Sequence, residues 1–180
     1  IEAYDKIDEL DEDMQDNYMK ANYLRAAQLV RNGSYRKAVP CLKAAAYYSE
    51  KGSRFNQLSR YWLAESYYRN DQYSEAREVF TDLYNTSALY GMPESALISY
   101  NIAYCHYRKA EYAAAEKWFA EYLAGSAVRY RKDALERKAD CHFMEKDYKS
   151  ACETYDMVLK GYFDVNDIYP YYQSAVSHGL

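Results

Sequence analysis

Apolar and polar positions recur in a fixed order along the chain. Four stretches, NGSYRKAVPCLKAA, NDQYSEAREVFTDL, KAEYAAAEKWFAEY and EKDYKSACETYDMV, each begin in a polar turn. Each continues to a Tyr, an Ala three residues on, and a large apolar residue four further on. The tyrosines are Tyr35, Tyr73, Tyr112 and Tyr148, separated by 38, 39 and 36 residues. The alanines are Ala38, Ala76, Ala115 and Ala151, and the large residues are Leu42, Phe80, Phe119 and Tyr155. A second pattern precedes each stretch: NYLRAAQLVRN, RYWLAESYYRN, SYNIAYCHYRK and LERKADCHFME. In that register Ala26, Ala64, Ala103 and Ala139 align without gaps. Apolar residues three and four apart fall on one face of a helix. A self-similar period in this range marks a stacked array of helices. Each unit is therefore read as two helices. The first carries a small residue at mid-length, where a neighbour can approach closely. The second opens on Tyr-x-x-Ala.

The turns inside the units hold Asn32-Gly33, Asn70-Asp71, Lys109-Ala110 and Lys146-Asp147. They are short, so the two helices of a unit must be antiparallel neighbours. Gly52, Gly91, Gly125 and Gly161 each follow a second helix, where glycine adopts the left-handed conformation that closes a helix end. Pro93 and Pro170 fall near the starts of later first helices. Pro40 lies inside a second helix and is expected to kink or weaken it. The expected layout is residues 1–16, the second helix of an earlier unit and an acidic connector (DEDMQD, 11–16), then units at 17–52, 53–91, 92–128 and 129–164. Residues 165–180 form the first helix of a further unit. Ala3, Ile7 and Leu10 repeat the spacing of Ala76, Phe80 and Leu83, and Ala175 lies 36 residues after Ala139. Solenoids carry capping elements at their ends. Neither end has one here, so the expectation is a fragment of a longer array.

The motifs resemble the tetratricopeptide repeat family. Leu63-Ala64, Tyr67, Tyr73, Ala76 and Phe80 occupy the family's apolar–small, aromatic, Tyr, Ala and aromatic positions in one unit. The period exceeds the family's usual ~34 residues. The resemblance implies an all-α fold, a right-handed superhelical solenoid of antiparallel helix pairs. The segment RYWLAESYYRNDQYSEAREVF is similar to the longer repeats of bacterial cell-envelope members. That likeness implies a periplasmic or envelope location and leaves the cytoplasm open.

Composition narrows the function. Among 180 residues, 28% are charged and the formal net charge is −4, which supplies no basic stripe for nucleic acid. No run approaches the ~18 apolar residues of a membrane span. No phosphate loop, nucleophile elbow or zinc motif is present, so no cofactor, catalytic residue or metal site is expected and the chain reads as non-enzymatic. His106, His142 and His178 recur at the repeat period, which sets equivalent points about 10 Å apart on stacked helices, too far for one zinc. They read as packed between the two helices of a unit. Cys41, Cys105, Cys141 and Cys152 read as small apolar residues, with Cys141 and Cys152 the only plausible disulfide pair. Arg31, Arg69 and Arg108 share a register in the last turns of first helices. There they suit the helix dipole or form a basic ladder facing a ligand.

The remaining signal is a second stripe on the first helices. Tyr100, Tyr104 and Tyr107 lie at i, i+4, i+7. Tyr61, Glu65 and Tyr68 repeat them one unit earlier, and Glu136, Asp140 and Phe143 one unit later. Two readings stand: packing between adjacent first helices, and the concave groove where, by the resemblance, peptides lie. The groove reading makes Tyr61, Glu65, Tyr68, Arg69, Tyr100, Tyr104, Tyr107, Arg108, Asp140 and Phe143 partner-binding residues. It predicts a scaffold for a protein or peptide partner. The alternative is a self-assembling component of a larger, cell-envelope complex, with homo-oligomers through uncapped ends. A clamp for a C-terminal carboxylate is not expected, since tyrosines and Glu65 hold the positions where such clamps carry Lys and Asn.

Overall fold

The computed structural model describes residues 11–162, 164 and 166–179. The expected helix at 1–10 lies outside them. Among the described residues every regular element is helical, and the chain divides into two compact units, residues 1–91 and 92–180.

The first unit holds α1 (Glu12–Arg31), α2 (Tyr35–Tyr48), α3 (Arg54–Arg69) and α4 (Tyr73–Asn85). Each helix packs on the one before it. The acidic run is not a connector. Asp11 caps α1 by accepting from the Met14 N–H at 2.8 Å, and Glu12 and Asp13 occupy the first turn. Carboxylates there meet the positive end of the helix dipole. Pro40 does not interrupt α2. Proline cannot serve the Arg36 carbonyl, but Arg36 and Pro40 are both exposed residues, and a backbone bond lost on the solvent side of a helix costs less than a buried one.

The second unit begins with a 3₁₀ turn, Pro93–Leu97. It continues through α5 (Ile98–Arg108), α6 (Tyr112–Ala124), α7 (Arg131–Met144), α8 (Tyr148–Gly161) and α9 (Tyr169–Gly179). Again each helix packs on its chain neighbour.

The repeat register is the core. Ala26, Ala38, Ala64, Ala76, Ala103, Ala115, Ala139 and Ala151 are each 0% exposed. Leu42, Phe80, Phe119 and Tyr155 are buried with them. All four second helices open on the predicted tyrosine. The ring of Tyr73 meets Tyr68 edge-on at 5.4 Å, Tyr112 meets Tyr107 at 5.8 Å, and Tyr148 meets Phe143 at 5.4 Å. Edge-to-face contacts at this range add to the burial of the rings, and they clasp these three hairpins at their turns.

The left-handed residues fall elsewhere than expected. Gly52 and Gly91 have positive φ, but Gly125 is extended and Gly161 is still helical, the last residue of α8. Instead Gly33, Asp71, Ala110 and Lys146, with φ between 57° and 70°, mark the turns inside the hairpins. At each turn the next residue's N–H bonds five residues back, as Ser34 to Leu29, Gln72 to Tyr67, Glu111 to His106 and Asp147 to His142. This is the Schellman closure of a helix C-terminus.

Candidate functional site

In the second unit the tyrosine stripe of α5 meets the polar face of α7. Tyr100 and Tyr104 donate to Asp133 Oδ2 at 2.7 and 2.5 Å, and Tyr107 donates to Asp140 Oδ2 at 3.0 Å. Asp140 is 5% exposed. Its other oxygen accepts from Tyr155 of α8 at 2.5 Å and from Tyr169 of α9 at 2.6 Å. Arg137, one turn back on α7, pairs with Asp140 and lies over the rings of Tyr107 and Tyr169 at 6.0 and 5.3 Å. A carboxylate that accepts charge-assisted bonds from several directions can be buried without a large penalty. Burial and the neighbouring carboxylates raise the Tyr100, Tyr104 and Tyr155 hydroxyls well above the ordinary tyrosine range, and Tyr107 to about 12. These phenols are donors held in place. The rings of Tyr100, Tyr104 and Tyr107 also pack against the cluster of Ala103, Ala115, Phe119, Tyr122, Ala134 and Cys141, and Tyr155 lies in the neighbouring cluster with Ala139 and Ala151. The hydroxyl ends of the stripe thus belong to inter-helix packing. Phe143 packs on the Ala139–Ala151–Tyr155 cluster, and Arg108 is exposed at the end of α5. Asp133, Arg137, Tyr155 and Tyr169 complete this constellation; the repeat marked Tyr155 only as a core position, and the other three carried no sequence signal, because the tyrosines and the acid they serve come from different helices.

In the first unit the stripe is different. Tyr61 is 5% exposed and meets Phe80 edge-on. Arg69 donates to Glu65 at 2.8 Å and lies over the Tyr35 ring at 5.8 Å. Tyr68 is half-buried against Tyr73. A cavity of about 270 Å³ opens beside α1, lined by Tyr23, Ala27, Val30, Arg31, Leu42 and Trp62. With Ala26 aligned to Ala64, four of these residues take the register of Tyr61, Glu65, Tyr68 and Arg69. Small Ala27 and Val30 stand where a carboxylate and a phenol stand one unit later, and the missing volume is the hollow. Carrying the stripe back by one unit would have found it. Arg31 has no carboxylate within ion-pair distance among the described residues.

Arg31, Arg69 and Arg108 occupy the last turns of α1, α3 and α5, as their register predicts. The histidines divide. The His106 Nδ1 lies 2.6 Å from Glu111, at the opening of its own second helix. His178 instead approaches the preceding second helix at Asp156, 3.8 Å away, and His142 lies between the two, 3.9 Å from Glu116 of the preceding second helix and 4.0 Å from Asp147 at the opening of its own. All four cysteines are free thiols.

Hairpins with a shared register, fully buried alanines and a tyrosine at each second-helix start define a helical repeat protein. Comparison with known proteins names the class. The tetratricopeptide repeat profile matches residues 23–88 and 63–128, and a second tetratricopeptide profile matches 133–162. The chain belongs to the tetratricopeptide repeat family. Among solved structures it is similar to the nearly identical TPR-like repeats of a Podosopora anserina kinesin light chain protein. One crystal structure of those repeats aligns at TM-score 0.69 and 15% identity, over 89% of this chain and 85% of that one. It is also similar to BtubC (BKLC) from P. vanneervenii, at TM-score 0.61 and 16% identity, over 99% and 78% of the two chains. No curated protein sequence matches it significantly. At these identities the likeness concerns the fold. No helix among the described residues is long and apolar enough to cross a membrane.

Proposed function

We propose that the chain is a non-enzymatic scaffold that binds an extended peptide or partner helix on the faces of its first helices. Tetratricopeptide repeats mediate protein–protein interaction as a class, and the cavity beside α1 carries the finer reading. It lies on the stripe register, its walls are apolar, and Arg31 stands at its edge. At about 270 Å³ it falls just below the size of small-molecule pockets, so it suits one large apolar side chain of a peptide. Arg31 favours an acidic residue beside that side chain. Tyr61, Glu65, Tyr68 and Arg69 flank the site on α3. In the second unit, Tyr100, Tyr104, Tyr107, Arg108, Asp140 and Phe143 form the corresponding face, with the tyrosine hydroxyls fixed by α7.

Selection from a displayed random-peptide library tests this reading. Peptides pairing a large apolar residue with Asp or Glu should be enriched. Filling the hollow by Ala27→Trp, at an exposed helix position, should weaken their binding at least tenfold with unchanged helicity. Enriched peptides that bind Ala27→Trp as tightly as the parent would refute it. Light scattering over a dilution series separates peptide capture from self-assembly, which would appear as mass rising with concentration.

A further inference from the structure

One group of side chains outside the stripe brings three metal-ligating atoms within 4.8 Å of one another: the Cys152 thiol, the Asp156 carboxylate and the His178 imidazole. Cys152 and Asp156 are four residues apart on α8 and share a face. His178 comes from the last turn of α9. The repeat register shows how the group arises. One unit earlier the equivalent positions are Glu116, Ala120 and His142. There a carboxylate meets an imidazole at 3.9 Å, and alanine offers no ligand. In the last hairpin a thiol replaces the glutamate and a carboxylate replaces the alanine.

The carboxylate is oriented. Ser174 Oγ donates to Asp156 Oδ1 at 2.8 Å, and Oδ2 faces His178 Nε2 at 3.8 Å. Supporting hydrogen bonds of this kind hold ligands ready for a metal. The thiol is 7% exposed, whereas the imidazole is largely exposed and free to swing in. The group borders a hollow that Ser177 and Glu153 also line, which gives an ion a path from solvent. One sulfur, one nitrogen and one oxygen donor suit a borderline ion and not Mg²⁺ or Ca²⁺, which take oxygen ligands. Zinc takes such donors at about 2.0–2.3 Å in a tetrahedron. Three protein ligands leave the fourth position for water.

We propose that Cys152, Asp156 and His178 bind one zinc ion, which ties the last turn of α9 to α8. On binding, the thiol gives up its proton to solvent and ligates as thiolate. The test uses the metal-free chain without an affinity tag, titrated with Co²⁺ as a spectroscopic stand-in and then with Zn²⁺. One equivalent of Co²⁺ should produce a thiolate-to-metal charge-transfer band, and Zn²⁺ should abolish it. Zn²⁺ should raise the thermal midpoint of the parent chain. Cys152→Ser and His178→Ala should each lose the band, and Asp156→Asn should weaken binding more than tenfold. His142→Ala, at the equivalent position one unit earlier, should keep it. His178 is exposed, so His178→Ala guards against a Cys152 variant that merely unfolds. Absence of the band in the parent, or a band that survives in His178→Ala, would overturn the proposal.

Discussion

Tyrosine is the residue on which this chain depends, and the phenol explains why. Its ring fills helix interfaces and its hydroxyl serves a buried acid. Asp140 takes three such hydroxyls and Arg137, so a carboxylate that is 5% exposed stays solvated by protein. Glu136, one turn away, is less well served. It is 8% exposed, and among the described residues no hydrogen bond reaches its Oε1. Its nearest cations are Arg137 at 3.7 Å and Lys132 at 3.8 Å. Burial raises its pKa, Lys132 opposes the shift, and Asp167 adds to it. A carboxyl with a raised folded pKa binds its proton more tightly when folded. The folded state is therefore favoured most below the ordinary glutamate range and loses that advantage as pH rises through the folded value. Glu136→Gln should raise stability at neutral pH by about 1 kcal/mol. The gain should vanish at acidic pH, where both states of the parent are protonated. Denaturant melts from pH 3 to 8 measure it, and a variant less stable than the parent at pH 7 would show that the pairing with Lys132 outweighs burial.

At the scale of the helix the repeated device is the hairpin turn. Three of its four left-handed positions hold Asp71, Ala110 and Lys146, not glycine. A side chain in that conformation costs roughly 1–2 kcal/mol. Ala110→Gly and Lys146→Gly should each stabilise the chain by about 0.5–1 kcal/mol, the added freedom of the unfolded glycine offsetting part of the relief. At Gly33 an added Cβ meets nothing within 4 Å. Gly33→Ala should therefore destabilise through conformation alone, by about 1 kcal/mol. Equal thermal midpoints for all three variants and the parent would contradict this account. These turns show where sequence reading stopped. Their location followed from the tyrosine that opens each second helix. Their left-handed backbone did not, because alanine and lysine give no sign of it. The helical start at Glu12 was hidden in the same way, behind acids that read equally as solvated chain and as a helix N-terminus.

For the molecule as a whole, the repeat period was legible because a fully buried alanine tolerates no larger residue, and eight of them keep one register. The tyrosine stripe was legible as a stripe, but its orientation was not. Tyr100 and Tyr104 find Asp133 some 30 residues away, a pairing set by how one helix is rotated against the next. The hollow beside α1 depends on the small size of Ala27 and Val30, an absence of volume that only the folded helices reveal. The central claim, that first-helix faces are the binding surface, is tested most directly by amide chemical-shift mapping with a library-selected peptide. The largest shifts should fall on Tyr23, Ala27, Val30, Arg31, Leu42 and Trp62. Shifts centred instead on the separate hollow around Tyr47, Lys51, Arg60 and Glu78 would place the binding surface away from the cavity beside α1 and contradict the claim.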